Sequence, residues 1–354
     1  DPPGKKSGGK ETSGKFIPDN RKHPDMTGVT ILGTGSYLPE KVLTNQDLER
    51  MVETSDEWIV TRTGIRQRRV CPPERAASDL GTEAARRACE DAGIPEAEID
   101  CLICATITGD RPFPSTACTI QRKLGINGIP AFDIQAACTG FLYGLELARV
   151  LIVAGGYKRI LLVATECMTR ITDYTDRSTC VLFGDGAGAA VVGATQGQNT
   201  GLLGSFLAAS GEHEDLVYVP AGGSRLPASV ETVQQHLHYL RMEGSTLFKI
   251  AVASMSESVR TLLQRFQIKL EEVEIVIPHQ ANLRIINGVA KNLGLPPEKF
   301  YVNIDRYGNM SAASVPVALD EASKQGLLRS GQLVVTVAFG AGLTWGANLI
   351  RWNR

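Results

Sequence analysis

The chain has 354 residues, 43% of them hydrophobic, enough for a sizeable core and for an enzyme built as two domains or as one duplicated fold. Its 37 Lys and Arg balance 38 Asp and Glu, so no global charge draws it to nucleic acid or a membrane surface, and a polyanionic partner has to be met by a local patch. The longest apolar runs, VLIVA and LVVTVAF, stop far short of the ~20 residues that span a bilayer.

Residues 1–26 are rich in Gly, Pro, Ser and Lys and nearly free of apolar side chains. Such a stretch buries too little surface to offset its ordering entropy, and it reads as a flexible extension or cloning remnant. From Thr27 a strand, TGVTILGTGSYL, precedes two helix starts at Thr44 and Ser55. The basic run TRTGIRQRR follows. Its arginines are by default a solvated face, yet Trp58 beside them offers a surface on which a purine stacks while arginines hold phosphates.

From Ser78 the elements alternate regularly, and then the order repeats. The helix SDLGTEAARRACEDAGI leads to the strand CLICATIT, a helix ending QRKLGI, the strand AFDI, a helix from Cys138 and the strand RILLVATE. Later, VASMSESVRTLLQRFQI leads to IVIP, a helix ending VAKNLGL, the strand YVNI, the helix SAASVPVALDEASKQG and the strand LVVTVAF. The fold class is therefore α/β, with two duplicated βαβ halves, 27–200 and 201–354, whose mostly parallel sheets share central helices in a five-layer α-β-α-β-α arrangement. The turn at Cys138 in the first half corresponds to the turn at Asn309 in the second, and the strand end at residues 106–109 to that at His279. Ligand sites in such folds gather at the carboxyl ends of strands, so Cys138, His279 and Asn309 are expected to converge.

Cys138 lies where AFDIQAACTGF passes from strand to helix. Unpaired N–H groups and the positive end of a helix dipole favour an anion there, which predicts a lowered thiol pKa and a thiolate nucleophile. A lone cysteine is by default a small buried hydrophobe, and the other seven of the eight read as that, reduced thiols of a cytoplasmic protein rather than a disulfide framework. Of the five histidines only His279 ends a buried strand; a satisfied core histidine is its plain alternative. Cys101 and Cys104 form a CxxC, but positions three apart on a strand face opposite ways, and no metal site is expected. GDGAGAA at 184–190 resembles a dinucleotide fingerprint without the βαβ context it needs, and reads as a tight hairpin turn. AFGAGL after the last strand puts a backbone N–H near the thiol, a candidate oxyanion hole. The order Cys, His, Asn is also that of papain-like proteases, but their C-G-[SA]-C-[WY] surround is absent.

Taken together, ILGTGSYLPE, TSDEWIVTRTGIR, FPSTAC, AACTGF, TDRST, FGDGAGAAV, PHQANLRII, GNMSAASVP and AFGAGLTWG resemble the β-ketoacyl-acyl-carrier-protein synthase III family, condensing enzymes with the thiolase-like fold. The resemblance covers residues 27–354. It implies that Cys138 takes an acyl group from an acyl-CoA, with acetyl-CoA the expected primer, and that His279 and Asn309 hydrogen-bond the thioester carbonyl of malonyl-acyl-carrier protein as carbon dioxide leaves. The backbone N–H groups of Cys138 and Ala341 would hold the oxyanion. Coenzyme A would lie against Trp58, Arg62 and Arg177, with Gly244, Ser245, Phe248 and Asn282 along its pantetheine arm. Phe113 would close the acyl pocket across a homodimer interface. Lys249, Arg284 and Lys291 would form the docking patch for the acidic carrier protein, the last two lying two turns apart on one helix face. No cofactor beyond the coenzyme A thioester substrate, no nucleic acid and no membrane is implied. Three departures stand out: Ser245 where an asparagine is expected, Asn292 for a second lysine in the docking helix, and Ala341 for a glycine, harmless if its φ is negative. The competing readings are a related condensing enzyme of secondary metabolism, a Cys-His-Asn hydrolase and an acyl-CoA-binding module without catalysis.

Overall fold

A computed structural model describes residues 28–197 and 199–354; the extension expected over 1–26 lies outside the described residues. In the first half, β1 (Gly28–Tyr37) is followed by β2 (Val42–Thr44), α1 (Asn45–Glu49), α2 (Asp56–Thr63), β3 (Gln67–Arg69) and α3 (Ala77–Ala92). Then come β4 (Cys101–Ala105), α4 (Thr116–Leu124), β5 (Ala131–Ile134), α5 (Gly140–Val153), β6 (Arg159–Cys167) and β7 (Asp185–Thr195). The second half runs β8 (Gly201–Ala209), β9 (Val217–Tyr218), α6 (Val230–Gln234), β10 (Arg241–Met242), α7 (Gly244–Phe266) and β11 (Val273–Pro278). It ends with α8 (Leu283–Leu293), α9 (Ile304–Tyr307), α10 (Ser314–Lys324), β12 (Leu333–Gly340) and β13 (Thr344–Arg351).

A five-stranded sheet, β1-β7-β6-β4-β5, belongs to the first half and a four-stranded one, β11-β12-β13-β8, to the second. Helix-bearing crossovers leave β4 parallel to β5 and β6, and β11 parallel to β12. The sheets are nonetheless mixed rather than mostly parallel. β7 and β13 follow their predecessors without a crossover α-helix, so each returns antiparallel. α5 and α10 pack between the sheets, with α3 and α4 outside the first and α7 and α8 outside the second, giving five layers. The central core joins Ile103, Leu162 and Ala105 to Val334 and Ala338 around Phe141, Leu145 and Leu319. Cys101 faces this layer and Cys104 the outer one, as the strand alternation requires.

The strand expected at YVNI does not form. Residues 301–303 carry no ladder, and only the bridge of Phe300 to Val276 remains. The buried amide of Gln280 takes over the ladder's work: its Oε1 accepts from the N–H groups of Asn303 (3.0 Å) and Ile304 (3.2 Å), and its Nε2 donates to the carbonyls of Pro278 and Tyr301. The glycines of the GDGAGAA run are also not a turn; all but Gly184 lie within β7. They admit close neighbours instead. A Cβ on Gly184 would meet the Tyr307 carbonyl at 2.4 Å, on Gly186 the Met310 sulfur at 2.6 Å and on Gly188 the Pro316 ring at 2.7 Å.

The basic run divides into surface and interior. Arg62 and Arg66 are exposed, but Arg68 is 0% exposed and donates to the Leu43 and Val181 carbonyls and to Asn45 Oδ1. Burial lowers its pKa to about 10. Removing the guanidinium strands three buried acceptors at about 1–3 kcal/mol each, so Arg68→Ala is expected to destabilise the fold by roughly 3 kcal/mol or more. Urea denaturation measures it, and a loss under about 1 kcal/mol would contradict this account.

Candidate active site

Two pseudo-equivalent turns build the centre of the molecule. The 3-10 turn Ala137–Thr139 leads into α5 and the turn Ser311–Ala313 into α10. Each opens on a residue in the left-handed region, Ala137 with φ 45° and Ser311 with φ 47°, a strained setting for side chains larger than glycine. Each is held by the opposite half. The Thr139 hydroxyl reaches Thr344 Oγ1 at 2.8 Å, and Gly340 brings β12 so near that a Cβ there would lie 2.7 Å from the Cys138 nitrogen. Asn309, ahead of the second turn, donates its N–H to the Leu182 carbonyl at 2.8 Å and accepts from the Gly184 N–H at 3.0 Å. The GDGAGAA run thus seats the Asn309 segment.

Cys138, His279, Asn309 and Ser311 line one cavity of about 100 Å³, which Ala341 also borders. Ala341 avoids positive φ, so the replacement of glycine leaves its N–H usable. The Ser311 N–H donates to Asn309 Oδ1 at 2.8 Å, which occupies the carbonyl end and leaves the NH2 end for the cavity. His279, 2% exposed, has Nδ1 2.6 Å from Ser314 Oγ, leaving Nε2 as the cavity nitrogen.

The electrostatics differ from the expectation for Cys138. Its residue is half-buried against the cavity with the sulfur enclosed, and burial pushes the thiol up to about 12, outweighing the lowering by Ser311 and its own N–H. The turn that holds it precedes α5 as a single 3-10 turn, a weaker anion site than a long helix end. Burial likewise lowers His279 to about 3, a neutral imidazole. The site at rest is uncharged: thiol, imidazole and amide.

Of the residues expected to hold coenzyme A, Trp58, Arg62 and Arg177 are together. The guanidinium carbons of Arg62 and Arg177 lie 4.9 and 5.2 Å from the Trp58 ring centroid. Gly244, Ser245 and Phe248 occupy the first turns of α7, and Asn282 caps α8, with its Oδ1 accepting from the Arg284 N–H. Ser245 is engaged with Glu243 at 2.7 Å. Lys249, Arg284 and Lys291 are exposed on the adjoining α7 and α8, the Arg284 guanidinium 5.7 Å from the Phe248 ring centroid, while Asn292 is bonded by Arg260. Phe113, 84% exposed, is absent from the lining of its own chain's cavity. Sequence reasoning missed Gln280, Ser311, Ser314 and Glu166. The first three sit inside the recognised phrases PHQANLRII and GNMSAASVP, but only the fold shows what they touch.

Two family descriptions match: "3-Oxoacyl-[acyl-carrier-protein (ACP)] synthase III" over residues 132–211 and its C-terminal counterpart over 263–352. A β-ketoacyl-[acyl-carrier-protein] synthase III of Caldanaerobacter subterraneus subsp. tengcongensis is 52% identical, the alignment covering 92% of this chain and 98% of the relative. That of Symbiobacterium thermophilum is 51% identical over the same shares. The crystal structure of 3-oxoacyl-[acyl-carrier-protein] synthase III from Aquifex aeolicus VF5 superposes with a TM-score of 0.85 at 47% identity, over 92% of this chain and all of that one. With nearly the whole chain matched at half identity, this protein belongs to the β-ketoacyl-acyl-carrier-protein synthase III family, with its thiolase-like fold.

Proposed function

We propose that this acyltransferase, a condensing enzyme that initiates fatty-acid synthesis, takes an acetyl group from acetyl-CoA onto Cys138 and passes it to malonyl-acyl-carrier protein. The observation that carries the reading is the single cavity shared by Cys138, His279, Asn309 and Ala341. In the first half-reaction the sulfur attacks the thioester carbonyl, whose oxyanion the N–H groups of Cys138 and Ala341 hold. In the second, His279 Nε2–H and the Asn309 NH2 donate to the malonyl thioester carbonyl as carbon dioxide leaves, stabilising the enolate, whose carbon attacks the acyl-cysteine. The Ser314 hydroxyl, 2.6 Å from Nδ1, fixes the His279 ring so that Nε2 is the nitrogen that faces the thioester. The product is a 3-oxoacyl-acyl-carrier protein.

The Trp58, Arg62 and Arg177 cluster suits an adenine stacked on an indole with phosphates held by guanidinium groups. The exposed cations Lys249, Arg284 and Lys291 suit an acidic carrier protein. The outward Phe113 suits delivery to a partner's pocket in a homodimer, where it would restrict the primer to short chains. The coenzyme A thioester is the only cofactor-like group in this scheme, and the cytoplasm is the compartment it fits. Among the described residues no helix is long and apolar enough to cross a membrane.

Intact-protein mass after incubation with acetyl-CoA, then with malonyl-acyl-carrier protein, tests the reading. An acetyl adduct mapped to Cys138 that discharges only with the malonyl carrier is expected; no adduct with any acyl-CoA would refute it. Cys138→Ser is expected to abolish the adduct. His279→Ala and Asn309→Ala should still acylate but condense about 100-fold or more slowly, the size of a lost preorganised donor; an Asn309→Ala enzyme condensing at the wild-type rate overturns that role. Because burial holds His279 at about 3, well below the ordinary 6.5, it is neutral at any working pH. Discharge of pre-acylated enzyme should therefore show no imidazole ionisation between roughly pH 5 and 9. For folding, the depressed value means stability that is full above about 6.5 and lost as pH falls toward 3.

A further inference from the structure

Glu166, near the end of β6, is 0% exposed at the centre of the molecule, and the mechanism above does not use it. Its Oε2 accepts from the hydroxyls of Thr106 (3.3 Å) and Thr108 and from the Thr108 N–H (3.1 Å), and the Ile107 N–H is shared between both oxygens at 3.2 Å. Oε1 has only that shared donor from these groups, so it keeps room for another. The Ser311 turn packs against β6, so its hydroxyl neighbours the carboxyl and lowers its pKa, and it accepts from the Cys138 thiol at 3.6 Å. The three groups form a line from nucleophile to buried carboxylate.

A thiol pushed up to about 12 by burial must lose its proton as it attacks, and His279, lowered to about 3, is a poor acceptor. Burial raises Glu166 instead to about 7, against the lowering by its threonine, backbone and serine donors. That is near the value best suited to a base at neutral pH. The titratable side chains facing Glu166 are thiols: Cys104 from β4, Cys138 from the first turn, and Cys167 on its own strand. Cys104 and Cys138 are held up chiefly by burial and Cys167 by its contact with Cys71.

Resting on the acyl-transfer reading above, we propose that Glu166 receives, through the Ser311 hydroxyl, the proton that the Cys138 thiol gives up in attacking the acyl-CoA. As the sulfur–carbon bond forms, the thiol proton passes to Ser311 Oγ and the Ser311 proton to the Glu166 carboxylate. The tetrahedral intermediate then breaks its bond to the coenzyme A sulfur. The departing thiolate takes a proton back from Glu166 along the same line, so one S–H is consumed, one is made, and the carboxylate is regenerated. Glu166 touches no substrate and acts through Ser311.

The test is the single-turnover acylation rate with acetyl-CoA as a function of pH, read by intact mass on the full chain. The wild type should show a limb rising through about pH 7. Glu166→Gln should acylate about 100-fold or more slowly, the usual worth of a positioned base, and lose that limb. Ser311→Ala, which breaks the line while keeping the backbone N–H that holds Asn309, should lose it too; Glu166→Asp should restore the limb in part. A Glu166→Gln enzyme that is slow but keeps the limb, or two variants acylating like the wild type, overturns the relay alone. Should Glu166→Gln fail to fold, Ser311→Ala decides by the same criterion. A wild type that takes no acyl group from any acyl-CoA brings down the function reading and the relay with it.

Discussion

The site depends on two strained turns being clamped against each other. Ala137 and Ser311 both take positive φ, a conformation a non-glycine residue keeps only when its surroundings over-determine it. Those surroundings come from the opposite half each time: β12 and Thr344 for the first turn, the 182–184 segment and β6 for the second. The duplication therefore does more than repeat a fold. It supplies two matching elbows, one of which carries Cys138 and the other the asparagine and serine around it. The small residues between them keep the contact close, since a Cβ on Gly140 would lie 2.9 Å from Ala105 and 3.4 Å from Ala312.

Burying both elbows sets their chemistry. In a dry centre each ionisable group is driven toward its neutral form, which raises the Cys138 thiol and lowers the His279 imidazole. Glu166 is driven the same way, but its fan of donors compensates in part and leaves it able to change charge near neutrality. A helix end alone does not decide such a contest. Here the lowering from the Cys138 N–H is the smaller effect.

The sequence reading found the α/β duplication, the two turns and the three side chains that meet, because element order and strand ends are written in local periodicity. It went wrong where tertiary contacts overrule local pattern. YVNI has the composition of a strand, yet Gln280, 23 positions before Asn303, satisfies the backbone that a ladder would have used. The glycines from Gly184 look like a turn because no sequence rule says that Tyr307, Met310 and Pro316 will press on them. Arg68 sits among exposed arginines and is indistinguishable from them until its three acceptors are in place. The thiol's protonation was illegible for the same reason, since desolvation is a property of the folded centre.

An uncharged resting site fits the proposed chemistry better than a pre-formed thiolate and imidazolium pair would. The reaction raises negative charge at two places in turn: on the thioester oxygen during acyl transfer, and on the malonyl thioester oxygen as carbon dioxide departs. Permanent charge in the cavity would interact strongly, at low dielectric, with the anionic malonyl carboxylate in the ground state. Neutral donors that are already oriented, such as Asn309 fixed through its Oδ1 and His279 fixed through Nδ1, cost little desolvation and gain most when the oxyanion forms. The carboxylate itself then loses its charge as carbon dioxide, so no strong base is needed at the carbon. The remaining proton is the one on sulfur, and a carboxyl held one hydroxyl away lets it move without leaving a charge beside the substrate.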